Sequence, residues 1–173
     1  MHKFKQYITP DSTVSADIEL KSVIRKIDIN EFIKTYKISN IWRGKIFIKK
    51  LINKVFKYQL SNPMKWNQLF WDSITINLIE THLTIKEKDL SLILEKKTTK
   101  KRFKDIKKYQ KLLTQTDMGS PLYITSKALN IIGGNIENDE VFILDGSRRL
   151  VANILNNTNP KIILIDLKGI NID

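Results

Sequence analysis

The sequence predicts a mixed α/β fold of the α+β kind, in which a small mixed sheet is flanked by helices. Two observations carry this prediction. Short runs of β-branched and apolar residues, such as 141–144 and 162–167, have the length and composition of buried strands. Other segments, such as 100–113, carry apolar residues at helical spacing. With 173 residues, of which 42% are hydrophobic, the chain is long enough to bury one core.

The chain is predicted to begin with an unstructured segment. Residues 1–17 are polar and include Pro10, so we expect a flexible arm ahead of a single domain at 18–173. Residues 19–29 alternate β-branched and polar side chains and predict a strand. Asn30 is placed to cap a short helix after that strand.

Helical patterns dominate the next segment. Residues 41–60 carry apolar side chains at helical spacing, and Pro63 predicts the end of that helix. Residues 66–79 predict a second helix, although alternating isoleucines within it leave a strand open. Thr84 and Glu87 have the spacing of a capping box, which predicts a third helix.

The remainder of the chain alternates between helices and strands. We predict a helix at 100–113, a turn at 117–121, a strand at 122–125, a short helix or loop at 126–132, a strand at 141–144, a helix at 148–156 and a strand at 162–167.

The composition excludes several classes of site. The chain has no cysteine, which rules out disulfides, cysteine zinc sites and thiol nucleophiles. Its two histidines argue against a multi-histidine metal site or a histidine triad. The N-terminus lacks the apolar run of an export signal, and no apolar run reaches the length of a membrane span. We therefore expect a cytoplasmic protein without a membrane span.

The net charge of +12 is concentrated in two segments. Residues 32–71 contain nine basic residues and no acidic one, and residues 96–111 contain nine basic residues and one acidic one. Such clustering indicates a surface for phosphates, either of nucleic acid or of anionic lipid. A solvated face of lysine-rich helices explains the same pattern without a partner, so both interpretations stay open. The candidate nucleic-acid contacts are Lys45, Lys49, Lys50, Lys54, Lys100, Lys101, Arg102 and Lys104.

The segment 140–167 carries the clearest chemical signal, because it has the pattern of a strand, a tight turn, a helix and a strand. Gly146 allows the backbone to turn sharply, and Ser147 is a good N-cap for the helix that follows. Arg148 and Arg149 add two guanidinium groups at the positive end of the helix dipole, which favours negative charge. We therefore expect a bound phosphate or carboxylate at this junction.

The choice of arginine at this turn favours a ligand. Only five of the 30 basic residues are arginine, yet Arg148 and Arg149 are adjacent. Arginine suits bidentate binding of oxyanions in a way that lysine does not. A capped helix in which Asp145 pairs with an arginine and nothing is bound has the same geometry and stays open as an alternative.

The stretch LDGSRRLVANILNN, followed by PKIILIDL, resembles the signature of the ParB/sulfiredoxin superfamily. In that superfamily a strand leads into an Asp-Gly-x-x-Arg or Gly-x-Arg-Arg turn, a helix and another strand, and the turn binds nucleotide phosphates. Residues 23–29 resemble its first strand, and 100–113 with 119–125 resemble its helix, glycine turn and next strand. The segment at about 36–99 has no counterpart and is expected to be a helical insertion.

The resemblance implies roles for individual residues. The expected phosphate-binding residues are Gly146, Ser147, Arg148, Arg149, Gly119 and Ser120. Asp145 matches the aspartate of the Asp-Gly variants and would hold Mg²⁺ or act as a base. Glu31 lies about where the serine-kinase branch places its catalytic glutamate. Asp117 is the other candidate catalytic carboxylate, since its turn is expected beside that of Asp145.

Differences between this sequence and the superfamily pattern argue against some of the activities found in the superfamily. The sulfiredoxin cysteine falls near Ser147, and the chain has no cysteine, so sulfiredoxin chemistry is excluded. ParB proteins usually have a glutamate where this chain has Ser147, which argues against CTP hydrolysis. We expect a nucleotide-binding protein for ATP or CTP with Mg²⁺, with phosphotransferase or NTPase activity left open. The alternative is a basic DNA- or RNA-binding module with no catalytic activity.

Overall fold

A six-stranded mixed sheet organises the part of the chain that this computed structural model describes, residues 3–9, 13–35, 67–95, 100–115, 119–131 and 136–169. The strands are β1 (Lys3–Tyr7), β2 (Ser15–Lys26), β3 (Ile74–Ile85), β4 (Leu122–Thr125), β5 (Val141–Asp145) and β6 (Lys161–Leu167). The helices are α1 (Ile29–Thr35), α2 (Asn67–Ser73), α3 (Glu87–Glu95), α4 (Lys100–Leu113), α5 (Ser126–Ile131) and α6 (Ser147–Leu155). The mixed α/β class predicted from the sequence is confirmed.

The strands lie in the order β1-β2-β3-β6-β4-β5. Strands β4 and β6 pair in parallel, and the other neighbours pair antiparallel. Between β4 and β6 the chain forms α5, β5 and α6, and these two helices pack on opposite faces of the sheet. The start of β4 therefore lies beside the end of β5, where Leu122 is the register partner of Asp145.

The sheet has an apolar core on each face because its strands alternate apolar side chains between the two faces. On β6, Ile163 and Ile165 belong to one core, and Ile162 and Leu164 belong to the other. The first core packs under α1, α2 and α5, and the second packs under α4 and α6. Each fully buried side chain of this size contributes roughly 1.5–3 kcal/mol relative to an exposed one. The second core holds α4 and α6 side by side on one face.

The prediction of a flexible arm at 1–17 is wrong for the residues described there. Lys3–Tyr7 forms the edge strand β1 and pairs with β2, with Lys3 opposite Glu19. Its side chains alternate between exposed and buried, and Phe4 contacts the ring of Tyr123 at 5.2 Å between centroids. Alternation over five residues was hidden among polar side chains, which is why the composition suggested an arm.

The prediction of a helix over 66–79 is wrong in its second half. The helix α2 ends at Ser73, and the chain continues as β3, which pairs with β2 on one side and β6 on the other. Ile74 and Ile76 are buried, so the alternating isoleucines marked a strand. The expected helical insertion at about 36–99 therefore supplies an interior strand of the sheet, and the predicted helix at 41–60 lies outside the described residues.

Smaller corrections concern helix starts. Asp28, and not Asn30, caps α1, since its Oδ1 accepts the backbone N–H groups of Asn30 at 2.8 Å and Glu31 at 3.2 Å. Thr84 lies within β3, so it does not cap α3. The helices and strands predicted after residue 100 agree with the structure to within one residue at each end, and the predicted turn at 117–121 lies partly outside the described residues. Within the described ranges, no helix has the length and apolar character needed to cross a membrane.

Candidate anion-binding site

The N-terminus of α6 is set by a glycine. Gly146 follows the end of β5 with φ 96° and ψ 21°, a left-handed conformation that glycine adopts without strain. It is the N-cap of α6, and its carbonyl oxygen accepts the N–H of Leu150 at 3.0 Å. Ser147 is the first helical residue, so the prediction that it caps the helix is wrong. Among the described residues no side chain caps this end, which leaves its first N–H groups available to a ligand.

Gly146 is also required by a close contact between two turns. A Cβ atom at this position would lie 2.8 Å from the Cα atom of Pro121, closer than side chains tolerate. The turn before β4 thus packs directly against the turn after β5. Antiparallel pairing of β4 with β5 brings these two turns together, as expected from the sequence.

Arg149 joins these turns. Its Nη1 donates to the carbonyl oxygens of Gly119 at 2.8 Å and Ser120 at 3.4 Å, and its Nη2 lies 3.1 Å from Oδ2 of Asp145. Only 16% of its side chain is exposed. Gly119 has φ 41°, and a Cβ atom there would lie 3.2 Å from Nη1 of Arg149. Arg149 therefore acts mainly as a clamp within the protein, although it also lines a cavity beside α6.

Arg148 points toward α4. Its Nη1 lies 2.9 Å from Oδ2 of Asp105, with 44% of the arginine side chain and 29% of the aspartate side chain exposed. The two helices are held together farther along, where Asn156 donates to the backbone oxygen of Gln110 at 3.0 Å. The position of Arg148 is thus defined by the packing of α6 on α4.

Arg102 enters the same region from α4. Its Nη1 lies 3.5 Å from Oγ of Ser147, at the first residue of α6. Burial lowers the pKa of Arg102 below its ordinary value, and the positive charge of Arg148 lowers it further. Both causes disfavour the charged guanidinium in the absence of an anion.

A cavity of about 350 Å³ lies between α4 and the N-terminus of α6. Its lining residues are Arg102, Tyr109, Ile143, Asp145, Gly146, Ser147, Arg148 and Arg149. Three guanidinium groups face the space where the dipole of α6 favours negative charge. Tyr109 and Ile143 add an aromatic ring and an aliphatic side chain to the wall. The arrangement can hold an anion that carries an organic group.

The structure brings together the central part of the predicted site. Residues 145–149 all line the cavity. Gly119 and Ser120 do not line it, but their carbonyl oxygens accept hydrogen bonds from Arg149. Glu31 lies elsewhere, on α1, which packs on the opposite face of the sheet from α6. It pairs with Arg25 at 2.8 Å, and this hydrogen bond holds the pKa of the Glu31 carboxyl below its ordinary value. Asp117 lies outside the described residues.

The predicted nucleic-acid contacts divide into three groups. Lys45, Lys49, Lys50 and Lys54 lie outside the described residues. Lys100, Lys101 and Lys104 are exposed on α4. Arg102 lies on the same helix but lines the cavity.

Sequence reasoning missed the contribution of α4 to the cavity. Arg102, Asp105 and Tyr109 are spaced by three and four residues, which places them on one helix face. Arg102 is moreover an arginine within a lysine-rich helix, the same preference that drew attention to Arg148 and Arg149. These two signals together could have identified this face of α4.

The described residues contain no group of three or more histidine, cysteine, aspartate or glutamate side chains able to hold a metal ion. Within that part of the chain, Asp145 is the carboxylate that lines the cavity. A Mg²⁺ ion is often held by one or two carboxylates together with phosphate oxygens of a substrate. Asp145 therefore fits one ligand position of such an ion, with the rest coming from a nucleotide and water.

Comparison with known proteins identifies no relative, since no family model, no curated protein and no solved structure matches the chain.

Proposed function

We propose that the chain is a cytoplasmic nucleotide-binding protein of the ParB/sulfiredoxin type, which holds the phosphates of ATP or CTP at residues 145–149. The observation that carries this proposal is the convergence of Arg102 and Arg148 on the N-terminus of α6. These residues come from two helices and face one cavity, so a single anion would contact both. The resemblance of the LDGSRR turn to that superfamily points to the same residues.

The electrostatics of the cavity support an anion. Burial lowers the pKa of Arg102, and repulsion by the positive charge of Arg148 lowers it further. The free N–H groups at the start of α6 also favour negative charge, by about 0.3–1 kcal/mol for an exposed group. A phosphate would relieve the repulsion and accept hydrogen bonds from both guanidinium groups.

The rest of the lining favours a nucleotide over a bare phosphate. The cavity of about 350 Å³ falls in the lower part of the range for small-molecule sites. Tyr109 offers a ring on which a base can stack, since stacking on aromatic side chains tolerates any base. Ile143 gives an apolar contact for the sugar. A nucleotide would thus use both the charged and the uncharged parts of the wall.

The proposal includes Mg²⁺ because Asp145 would serve as its protein ligand. When bound, Mg²⁺ neutralises phosphate charge and orients the terminal phosphoryl group. Asp145 shares its Oδ2 with Arg149, so the clamp also fixes the orientation of this carboxylate. Arg102 and Arg148 would hold the phosphates from the other side. Of the predicted catalytic carboxylates that the structure describes, Asp145 lines the cavity and Glu31 does not, so Asp145 is the candidate base among them. Turnover is a separate outcome of the experiment.

The proposal is tested by calorimetry with ATP, ADP, CTP and GTP, with and without Mg²⁺, and by release of inorganic phosphate. We expect binding of at least one triphosphate and a loss of about tenfold or more in affinity for Arg102→Ala and for Arg148→Ala, since each removes a charge-assisted hydrogen bond. The matched control is Arg25→Ala, which removes an exposed arginine remote from the cavity. Lack of response to all four nucleotides, or equal affinity of wild type and the cavity variants, would overturn the proposal.

A second candidate function is contact with nucleic acid through the outer face of α4. Phe103 is 51% exposed there, and Nζ of Lys107 lies 5.5 Å from the centre of its ring. An exposed aromatic ring among lysines is a typical surface for single-stranded nucleic acid.

This candidate predicts that affinity for a short single-stranded DNA or RNA falls steeply as salt rises. Replacing Lys100, Lys101 and Lys104 by glutamine should reduce both the affinity and its salt dependence. The control replaces Lys5, Lys86 and Lys88, which are exposed elsewhere. Fluorescence anisotropy measures both, and equal effects of the two triple variants would reject contact through α4.

A further inference from the structure

The ion pair between Asp105 and Arg148 engages one of the cationic side chains of the proposed site. Oδ2 of Asp105 lies 2.9 Å from Nη1 of Arg148, so a carboxylate already stands at a position where a phosphate oxygen would bind. Asp105 follows Arg102 by three residues on α4 and therefore lies on the same helix face. The two residues approach the N-terminus of α6 from one side.

Both side chains of this ion pair are partly exposed to solvent, so the contact between them can break. Almost half of the Arg148 side chain and more than a quarter of the Asp105 side chain reach solvent. Pairs of this kind are held weakly, because water screens the attraction and the side chains lose freedom. A phosphate group carries more charge than a carboxylate and offers more oxygens to a guanidinium. It can therefore replace Asp105 as the partner of Arg148.

We propose that Asp105 is an internal competitor for the anion, so that ligand binding exchanges the Asp105–Arg148 pair for an Arg148–phosphate pair. This inference rests on the proposed function, since it concerns regulation of the same site. The carboxylate of Asp105 lowers the affinity for the anion because it occupies the guanidinium group of Arg148.

A positioning role for Asp105 predicts a change in affinity in the opposite direction. If Asp105 served to position Arg148 for the ligand, its removal would leave the guanidinium less well oriented and would weaken binding. The direction of the change in affinity for Asp105→Asn therefore separates a competitor from a positioning residue. Asparagine keeps the shape of the side chain and removes the charge.

The experiment measures binding of sodium tripolyphosphate and of ATP to the full chain by calorimetry at constant ionic strength. For Asp105→Asn we expect tighter binding by about fivefold, the factor that corresponds to an exposed ion pair. In the Arg148→Ala background the same substitution should change affinity by less than about twofold, because the competition acts through Arg148. Asp17→Asn is the control, since Asp17 pairs with Lys3 at 3.3 Å on the edge of the sheet.

Thermal unfolding of each variant without ligand accompanies these titrations. A competitor predicts that Asp105→Asn lowers the melting temperature slightly while it tightens binding. If Asp105→Asn does not fold, Asp105→Ser is titrated in its place with the same expectation.

The possible outcomes separate this inference from the proposed function. Unchanged or weaker binding by Asp105→Asn, in a protein whose wild type binds through Arg148, overturns the inference alone. Tighter binding that persists fully in the Arg148→Ala background also overturns it. Failure of both wild type and Asp105→Asn to bind either probe overturns the inference and the proposed function together.

Discussion

The two sides of the α6 N-terminus use the same residue types in different ways. On the side of the β4 turn, Arg149 is largely buried, and its hydrogen bonds end on Gly119, Ser120 and Asp145. On the side of α4, Arg148 is nearly half exposed and contacts Asp105 beside an open cavity. This difference shows that two adjacent arginines at one helix N-terminus can have different roles. We call the first side the clamp and the second side the open side.

The largest expected effect is on the clamp, at Gly146. Gly146→Ala places a Cβ atom 2.8 Å from backbone of Pro121 and forces alanine into a left-handed conformation. We expect a loss of about 3 kcal/mol in the free energy of unfolding, from strain and overpacking together. Urea denaturation measures it. Gly169→Ala is the control, since nothing lies within 4 Å of a Cβ atom there, and it should change stability by less than about 0.5 kcal/mol.

The next effect compares the two arginines directly. Arg149→Ala should lower the free energy of unfolding by about 2 kcal/mol, because it removes charge-assisted hydrogen bonds from a mostly buried group. Arg148→Ala should lower it by less than about 1 kcal/mol, as expected for an exposed ion pair. Urea denaturation of both variants tests the order. A larger loss for Arg148→Ala would remove the distinction between the clamp and the open side.

A smaller effect is expected at the far end of the clamp. Gly119→Ala introduces a Cβ atom 3.2 Å from Nη1 of Arg149 and requires φ near 41°. The neighbour is the end of a flexible side chain, which can shift, so we expect a loss of about 1 kcal/mol from the backbone alone. Thermal unfolding of Gly119→Ala, Arg149→Ala and the double variant tests the link. Additive losses would show that the glycine and the arginine act independently.

The smallest effect lies at the boundary between the two sides. A serine N-cap replaced by alanine costs about 1 kcal/mol, but Ser147 is not the N-cap, and its Oγ contacts Arg102 at 3.5 Å. We therefore expect Ser147→Ala to change the free energy of unfolding by less than about 0.5 kcal/mol. A loss near 1 kcal/mol in urea denaturation would restore the capping role and contradict the geometry described for this turn.

The sequence was most informative where local pattern and tertiary environment agree. Strands β4, β5 and β6 are short apolar runs, and they form where predicted because burial on both faces suits such runs. The turn at Gly146 was also predictable, since few residues other than glycine adopt its backbone angles. The close approach of this turn to the turn before β4 follows from the antiparallel pairing of β4 with β5.

Other features depended on contacts between distant residues. Arg102 and Ser147 are in contact but lie 45 positions apart in the sequence, so no local sequence pattern contains both residues. β3 was misread because its isoleucines satisfy a helical and an alternating pattern at once, and pairing with β2 and β6 decided between them. The resemblance to the serine-kinase branch predicted Glu31 near the site, because it follows the first strand, but α1 packs on the other face of the sheet.

The position of β3 in the sheet determines whether the part of the chain that carries the cavity can be isolated as a fragment. The lining residues of the cavity and both turns come from the part of the chain after residue 100, so a fragment that begins there would retain them. In the intact chain, however, β6 hydrogen-bonds along seven registered residues to β3, from Ile74 opposite Leu167 to Glu80 opposite Lys161. Truncation would expose that apolar strand edge to solvent and to other copies, a known route to aggregation. The part of the chain before residue 100 thus covers the edge of β6 and completes the sheet on which the cavity is built.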